Sequence, residues 1–228
     1  MPANKEISLV NWNSGYAHRR TEKPVHGDWL EKYLPSLVRA RGPILDLGCG
    51  AGGNSLLLSD EGCLPICADF AVEALRSVRF RKRKMPCVLL DMRDGLPFKE
   101  GSFDCIIADL SLHYFDAETT HRLLGNIHEA IAGDGTLLCR VNSMNDTNFG
   151  AGAGEEIEHH FFFNTGRAVD NGRHKRFFDY DDVCTFFTQW PGVECNECET
   201  MRRGVIKRVW EIACRKVGSP EDDCVEKR

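Results

Sequence analysis

Apolar residues follow two periods along the middle of the chain, and the change between these periods predicts the folded elements. Short apolar runs bounded by glycine, proline or aspartate predict five strands, and the stretches between several of them repeat apolar residues at helical spacing. The predicted strands are Pro43–Leu47, Leu64–Ala68, Pro86–Leu90, Phe103–Ala108 and Thr136–Val141. Helices are predicted over 54–60, over 71–84, and between an N-cap at Asp116 and a stop at Gly133. This alternation predicts an α/β fold in which a parallel sheet carries helices on both faces.

The chain before the first predicted strand is polar and carries isolated aromatic residues. Its first 23 residues include Trp12 and Tyr16 and are expected to form an arm or a lid. Residues Pro24–Arg41 repeat apolar side chains at helical spacing, but Pro35 lies inside this pattern. Because proline removes a backbone donor and clashes with the preceding turn, we expect it to kink or break this helix.

The pattern changes again after Asn142. Residues 143–178 show no clean period, and Asp179 then caps a predicted helix. Two strand-like segments follow, 193–199 and 205–214, with only a charged turn between them. Strands joined without a helix pair in antiparallel fashion, so the domain is predicted to end in a hairpin attached to the parallel sheet.

Composition and charge narrow the class of protein. The 228 residues are 42% hydrophobic, which is enough for a sizeable core and argues against a disordered chain. The net charge of -5 argues against a broad electropositive surface for nucleic acid. Eleven cysteines at irregular spacings indicate free thiols in a reducing interior. The polar N-terminus does not read as a signal peptide, and no apolar run approaches the length of a membrane span, so a cytoplasmic location is expected.

Two glycine clusters compete for the role of cofactor loop: ILDLGCGAGG at 44–53 and NFGAGAG at 148–154. In the first, Gly48, Gly50 and Gly53 fit the G-x-G-x-x-G pattern of a dinucleotide site. However, Asp46 ends the preceding predicted strand, where a carboxylate would repel a pyrophosphate and attract an ammonium group. The first cluster is therefore expected to bind a ligand with a cationic amino-acid end.

The stretch DLGCGAG, from Asp46 to Gly52, resembles motif I of the class I S-adenosylmethionine-dependent methyltransferases. The resemblance extends over about residues 40–215 and implies a three-layer, Rossmann-like sheet of seven strands, mostly parallel with an antiparallel C-terminal hairpin. It implies S-adenosylmethionine as cofactor. Three domain regions are accordingly expected: an N-terminal arm and helix over 1–42, the methyltransferase domain over 43–216, and a polar tail over 217–228. Within the domain, 143–178 is expected to be a lid or an acceptor-binding insertion.

The family's landmarks can be placed one by one at predicted strand ends. Asp69, after the second strand, would bind the ribose hydroxyls, and Asp91, after the third, would hold the adenine amino group. Met92 would pack on the adenine ring, and the end of the fourth strand would line the methionine side. The cofactor-binding residues that the resemblance implies are Asp46, Gly48, Cys49, Gly50, Asp69, Phe70, Asp91, Met92, Asp109 and Leu110.

The catalytic residue is harder to identify, because the methyl donor is already activated and the protein mainly aligns the reacting atoms. His113 and Tyr114 follow the fourth strand and are the polar candidates near the methyl group. For His113, packing or hydrogen bonding under the lid is at least as strong an alternative as base catalysis. The expected acceptor contacts are Trp12, Tyr16, Arg140, Lys175 and Arg176. The last two could equally be surface residues.

The remaining clusters favour structural interpretations, and no metal site is predicted. Cys195 and Cys198 have zinc-like spacing but no second pair, so they are expected to be free thiols in the hairpin. His159 and His160 would face opposite sides of a strand. The basic run RFRKRK at 79–84 is expected to be a solvated helix end. The second glycine cluster is followed by three acids and is expected to be the hinge of a lid.

These observations predict an S-adenosylmethionine-dependent methyltransferase that acts on a small-molecule acceptor. No membrane partner is expected, nucleic acid is disfavoured, and the sequence leaves the oligomeric state open. The alternatives within the enzyme class are a protein or RNA acceptor. The alternatives from other classes are an NAD(P)-dependent oxidoreductase, which Asp46 disfavours, and a catalytically inactive Rossmann-like binding module, which the intact acidic positions disfavour.

Overall fold

The computed structural model describes residues 2–22, 24, 28–164, 173–202 and 204–217. Its main sheet has seven strands: β1 (Ile44–Leu47), β2 (Ile66–Asp69), β3 (Cys87–Leu89), β4 (Phe103–Asp109), β5 (Ile131–Asn142), β9 (Gly192–Arg202) and β10 (Val205–Arg215). They lie in the order β3-β2-β1-β4-β5-β10-β9. Strands β1 to β5 run parallel, and β10 is antiparallel to both of its neighbours. The predicted seven-stranded sheet and its antiparallel C-terminal hairpin are confirmed.

Helices connect the strands and cover both faces of the sheet. The α-helices are α1 (Pro2–His18), α2 (Leu34–Leu37), α3 (Gly53–Asp60), α4 (Val72–Arg81), α5 (Ala117–Ala130) and α6 (Tyr180–Phe186). Four short 3-10 helices cover Asp28–Tyr33, Met92–Asp94, Leu112–Tyr114 and Thr147–Phe149. None of the helices in the described part of the chain combines the length and apolar character that crossing a bilayer requires.

The core consists of layers on the two sides of β4. Helix α5 buries the apolar face that includes Leu123 and Ile127 in the cluster that contains Ile106. The next residue, Ile107, lies in a different cluster, together with Trp29. Because successive side chains of a strand point to opposite faces, the two clusters lie on opposite sides of the sheet. This gives the three-layer arrangement that the strand–helix alternation predicts.

Two predicted helix boundaries are corrected. The helix expected over Pro24–Arg41 is a 3-10 helix followed by the short helix α2; residues 25–27 lie outside the described chain. Pro35 stands in the first turn of α2, so the predicted break is confirmed. Gly133 does not stop α5, because the chain becomes extended at Ile131 and the glycine lies inside β5. The cap at the other end is confirmed: the Asp116 side chain accepts the Thr119 N–H at 2.7 Å.

The region without a clear period, 143–178, contains a small antiparallel sheet. Its strands are β6 (Glu155–Glu158), β7 (Phe161–Asn164) and β8 (Arg173–Arg176), with β7 in the middle. Phe161 and Phe162 are both buried, which explains why no alternation is visible in the sequence. A bond of 2.8 Å from the Phe178 N–H to the Asn142 carbonyl joins this region to the end of β5. We call residues 143–178 the insertion.

The two adjacent histidines of the insertion do not lie as predicted. His159 and His160 occupy the turn between β6 and β7, and their rings stack with centroids 3.8 Å apart. The expectation that they face opposite sides of a strand is therefore wrong. His160 has a left-handed backbone with φ of 55°, and this departure from extended geometry brings both rings to one side.

Candidate active site

A cleft of about 670 Å³, partly open to solvent, lies at the carboxyl ends of the parallel strands. Ligands of open α/β sheets bind at this edge. The lining residues are Trp12, Tyr16, Gly48, Asp69, Phe70, Leu90, Asp91, Met92, Arg93, Leu110, Ser111, Tyr114 and Phe115. The sequence-predicted cofactor residues Gly48, Asp69, Phe70, Asp91, Met92 and Leu110 are among them.

The loop after β1 requires its glycines. Gly48 and Gly50 have φ angles of 73° and 54°, a region that disfavours side chains. A Cβ on Gly48 would lie 2.4 Å from the Cβ of Ser111, and a Cβ on Gly50 would lie 2.7 Å from the hydroxyl oxygen of Tyr16. The Gly48 N–H donates to the Ala68 carbonyl at 2.8 Å, which joins the loop to β2. Local conformation and close packing together fix this loop beneath the cleft.

Asp69 connects the end of β2 to the glycine loop. Its two carboxylate oxygens accept the N–H groups of Gly50, at 2.9 Å, and of Ala71, at 2.8 Å. Burial raises the pKa of this carboxyl to about 6, against the lowering effect of the backbone hydrogen bonds. Each oxygen keeps a further acceptor site, so the side chain fits two vicinal hydroxyl donors.

Asp46 lies beneath the loop rather than in the lining of the cleft. It is 1% exposed and accepts the Ser55 hydroxyl at 2.5 Å. Burial is the main cause that raises its pKa to about 7, and Asp109 and Asp69 raise it further. Asp46 and Asp109 therefore lie below this end of the cleft, and Asp69 lines it. Because Arg140 pairs with Asp109, the carboxyls of Asp46 and Asp69 are the groups whose negative potential would favour a cationic ligand.

The opposite end of the cleft is apolar with one ion pair. Asp91 forms a bidentate pair with Arg93, with contacts of 2.9 Å to Nε and 2.7 Å to Nη2. The guanidinium of Arg93 also lies 5.8 Å from the centroid of the Phe70 ring. Together with Leu90 and Met92, these groups form an apolar slot with one acidic edge. Such a slot fits a flat heterocycle that carries an amino group.

Asp109, at the end of β4, has protein partners. It accepts two bonds from Arg140, of 2.7 and 3.0 Å, and one of 3.2 Å from the Asn54 amide. Arg140 is 5% exposed, and its guanidinium lies 4.9 Å from the Trp29 ring centroid. The structure therefore holds Arg140 beside Asp109 and away from the cleft lining, while the neighbouring Leu110 reaches the cleft.

Helix α1 covers the cleft with aromatic side chains. Trp12 stacks on Tyr16 at 5.8 Å and meets Tyr114 edge-on at 5.6 Å between ring centroids. Burial and the charge of Asp69 raise the pKa of Tyr16 well above its usual value. The guanidinium of Arg173 lies 4.3 Å from the Trp12 ring centroid, so the insertion also contacts this helix. Arg173 could not be predicted from the sequence, because its partner is remote along the chain.

The two candidate catalytic residues are placed differently. Tyr114 lines the cleft, whereas His113 is 2% exposed and does not contribute to the lining. Burial, followed by the charges of Lys207 and Lys175, lowers the pKa of His113 well below its usual value. His113 is therefore a neutral, buried imidazole at physiological pH.

Two basic residues of the insertion, Lys175 and Arg176, are buried too. Arg176 is 2% exposed, pairs with Glu158 and donates to the carbonyl of His159 at 2.9 Å. Lys175 is 6% exposed. Neither residue lines the cleft. Arg176 also donates to the Phe115 carbonyl at 3.3 Å, so it joins strands of the insertion to each other and to the chain after β4. This differs from both a surface position and a direct contact with an acceptor.

Lys207 is a buried residue that the sequence reasoning missed. Its ammonium group donates to Asn142 Oδ1 at 2.7 Å and to Asp146 Oδ2 at 2.8 Å. Burial lowers the pKa of Lys207 to about 8. A lysine at an inward position of the final strand is the signal that could have identified it, since a buried charge needs a partner.

Comparisons with known proteins agree with this geometry. The family described as "Methyltransferase domain" matches residues 44–135. The 18S rRNA (guanine(1575)-N(7))-methyltransferase of Saccharomyces cerevisiae is 28% identical over 113 residues, 45% of this chain and 41% of that protein. The human mitochondrial arginine-hydroxylase NDUFAF5 is 32% identical over 128 residues, 52% of this chain and 36% of that protein. The chain thus spans less than half the length of these relatives.

Solved structures share the fold. A SAM-dependent methyltransferase from Methanosarcina mazei aligns with a TM-score of 0.67 at 18% identity, covering 82% of this chain and 98% of the other. The 1,6-didemethyltoxoflavin-N1-methyltransferase of Burkholderia thailandensis, with bound S-adenosylhomocysteine, has a TM-score of 0.61 at 13% identity, covering 93% and 90%. The fold, the glycine loop and the matching domain lead to one conclusion. Residues 44–135 form a methyltransferase domain with the fold of the class I S-adenosylmethionine-dependent methyltransferases, and its cofactor is S-adenosylmethionine.

Proposed function

We propose that the protein transfers the methyl group of S-adenosylmethionine to a small-molecule acceptor that enters beneath helix α1. The observation that carries this proposal is the aromatic cover formed by Trp12, Tyr16 and Tyr114 over the cleft. A covered, largely apolar space suits a compact acceptor, which buries most of its surface in such a site. A polymer would have to insert a single group past this cover.

The charge distribution also favours a small molecule over RNA. The sequence carries a net charge of -5, and two residues of its most basic run, 79–84, bond to other groups of the protein. Arg81 donates to the carbonyl of Arg20 at 2.7 Å, and Lys82 pairs with Asp60 at 2.8 Å. RNA-binding enzymes normally gain affinity from cations that contact phosphates. Here Arg140 and Arg176 are also held by carboxylates of the protein.

RNA is the second candidate acceptor, because several relatives are named as 18S rRNA methyltransferases. Another relative, a malonyl-[acyl-carrier protein] O-methyltransferase from Enterobacter lignolyticus, is 25% identical over 119 residues, 51% of this chain and 46% of that protein. The relatives therefore support methyl transfer more strongly than they support any one class of acceptor. A cytoplasmic location is proposed with the small-molecule role, since the ten cysteines of the described residues are free thiols.

The roles proposed for the side chains follow from their positions. The cofactor supplies an activated methyl group that is displaced in line, which requires alignment of the reacting atoms. Asp69 would accept the ribose hydroxyls, and the slot containing Asp91 and Met92 would hold the adenine. The carboxyls below the glycine loop would stabilise the cationic end. Trp12 and Tyr114 would orient the acceptor and exclude water, and of the two candidate catalytic residues Tyr114 is the one that reaches the cleft.

Methyl transfer into separated cellular fractions tests the proposal. The protein is incubated with methyl-labelled S-adenosylmethionine and, in parallel, an ultrafiltered metabolite extract, total RNA or total protein, with heat-inactivated protein as control. We expect protein-dependent label in the metabolite fraction. Label confined to RNA or to protein would contradict the small-molecule acceptor and favour the alternative. Absence of transfer into all three fractions would count against an active enzyme.

A further inference from the structure

A second cluster of ligand-type side chains lies outside the cleft, where the insertion meets helix α6. It consists of His159 and His160, from the turn between β6 and β7, and Asp179 and Asp182, from the start of α6. One nitrogen or oxygen atom from each of these residues lies within 4.8 Å of all the others. We call these four residues the His–Asp cluster.

The two carboxylates are held in place and still have oxygens to offer. In the capping box of α6, Asp179 Oδ1 accepts the Asp182 N–H at 2.8 Å, and Asp182 Oδ2 accepts the Asp179 N–H at 3.1 Å. The other oxygens lie near the histidines: Asp182 Oδ1 is 3.8 Å from His159 Nε2, and Asp179 Oδ2 is 3.9 Å from His160 Nδ1. Each carboxylate therefore keeps one oxygen in the cap and directs the second toward an imidazole. Metal-ligating carboxylates are commonly held by hydrogen bonds in this way.

The spacing of these atoms is close to that of a tetrahedral metal site. With metal–ligand distances of about 2.0–2.2 Å, donor atoms of a tetrahedral site lie roughly 3.3–3.6 Å apart. The observed 3.8 and 3.9 Å separations exceed this by less than about 0.6 Å, and all four donor atoms lie within 4.8 Å of one another. Metal binding therefore requires the donors to move closer together, and rotation of the exposed side chains of His159 and Asp179 allows this movement. Two imidazoles and two carboxylates form a donor set typical of zinc, and the two negative charges balance a divalent ion.

We propose that His159, His160, Asp179 and Asp182 bind a divalent transition-metal ion of the zinc type. The ion replaces the hydrogen bond of 2.6 Å between His160 Nδ1 and Asp182 Oδ2. His159 is 74% exposed and Asp179 44% exposed, so the ion reaches the site from solvent. The metal would join the small sheet of the insertion to α6, which packs on the main sheet through Val183 and Phe186. This proposal does not depend on which molecule accepts the methyl group.

Metal titration of the untagged, chelator-treated protein tests this site. Zn²⁺ binding is measured by calorimetry, and Co²⁺ binding by visible absorption, because the cobalt spectrum distinguishes nitrogen and oxygen ligands from thiolates. We expect one saturable equivalent, a nitrogen–oxygen cobalt spectrum, and a rise in the thermal unfolding temperature with Zn²⁺. His159→Ala should weaken binding about tenfold or more and abolish this rise. The exposed side chain of His159 makes this variant structurally mild.

Two further variants distinguish the His–Asp cluster from other ligands. Asp179→Asn keeps the size of the side chain and should also weaken Zn²⁺ binding. The double variant Cys195→Ser with Cys198→Ser removes the competing thiols, which lie in β9, and should leave the affinity unchanged. Equal Zn²⁺ affinity in wild type and His159→Ala, dependence on the two cysteines, or no saturable binding would each overturn the proposal.

Discussion

Replacing Asp69 by asparagine tests the most detailed part of the proposed cofactor site. An ionised carboxylate that accepts the two ribose hydroxyls contributes about 1.5–3 kcal/mol through charge-assisted hydrogen bonds. Loss of that contribution corresponds to a dissociation constant for S-adenosylhomocysteine that rises about 10- to 160-fold. The variant has nearly the same shape, so the change isolates charge and acceptor capacity.

The same substitution should also lower the stability of the folded protein. The two oxygens of Asp69 accept backbone N–H groups from Gly50 and Ala71, at 2.9 and 2.8 Å. An asparagine offers one oxygen and one NH₂ group, so one of these buried donors loses its acceptor. This costs about 1–3 kcal/mol, and the free energy of unfolding should fall by that amount. Chemical denaturation of the protein without cofactor measures this part separately.

The wild-type protein should also show a pH dependence with a definite sign. The pKa of Asp69 is about 6, and the ribose hydroxyls bind the charged form. Protonation below that pH therefore opposes binding, and at pH 5 the affinity should be about tenfold weaker than at pH 8 from this group alone. The slope should be smaller in Asp69→Asn, in which only the other buried acids titrate.

Calorimetric titration with S-adenosylhomocysteine at several pH values measures both effects. Asp60→Asn is the matched control, because Asp60 is 68% exposed, pairs with Lys82 at the surface and does not line the cleft. Its dissociation constant should equal that of the wild type. An Asp69→Asn variant that folds normally and binds within about threefold of wild type would refute the ribose assignment. A wild-type affinity that does not change between pH 8 and pH 5 would refute the role of the ionised form.

Two further predictions concern the buried lysine and the aromatic cover. Lys207→Met should lower the free energy of unfolding by about 3–5 kcal/mol, because Asp146 would remain buried without its cation; a loss below about 1 kcal/mol in urea unfolding would contradict this. Trp12→Ala removes two aromatic contacts worth about 1–3 kcal/mol together, so label transfer to the acceptor should fall about fivefold or more. S-adenosylhomocysteine affinity should change much less, and equal losses in both measurements would contradict a role in covering the acceptor.

The three glycines of the second cluster all have backbone conformations that disfavour a side chain. Gly150, Gly152 and Gly154 have φ angles of 102°, 70° and 95°, and they lead into β6 rather than into a helix. None of them lines the cleft, which agrees with their exclusion as the cofactor loop. Their proposed role as a hinge stays a prediction. Alanine at these positions would act first through backbone strain, since side chains disfavour positive φ.

The sequence by itself determined the main sheet and the cofactor edge. Strands buried on both faces are continuous apolar runs, and the residue that follows each strand lies at the same edge of a parallel sheet. Asp69 and Asp91 could therefore be placed without coordinates. The closing hairpin followed from the missing helix between its two segments.

Only the tertiary structure decided what most charged and aromatic side chains do. Arg140 pairs with Asp109, and Lys207 pairs with Asp146, across many residues of chain. A pattern of residue types contains no information on such partners, because a charge is stabilised by whichever opposite group the fold brings near. The His–Asp cluster could not be predicted from the sequence for the same reason. A turn with one left-handed residue brings the two neighbouring histidines together, and the fold places them beside the cap of a helix that begins about twenty residues later.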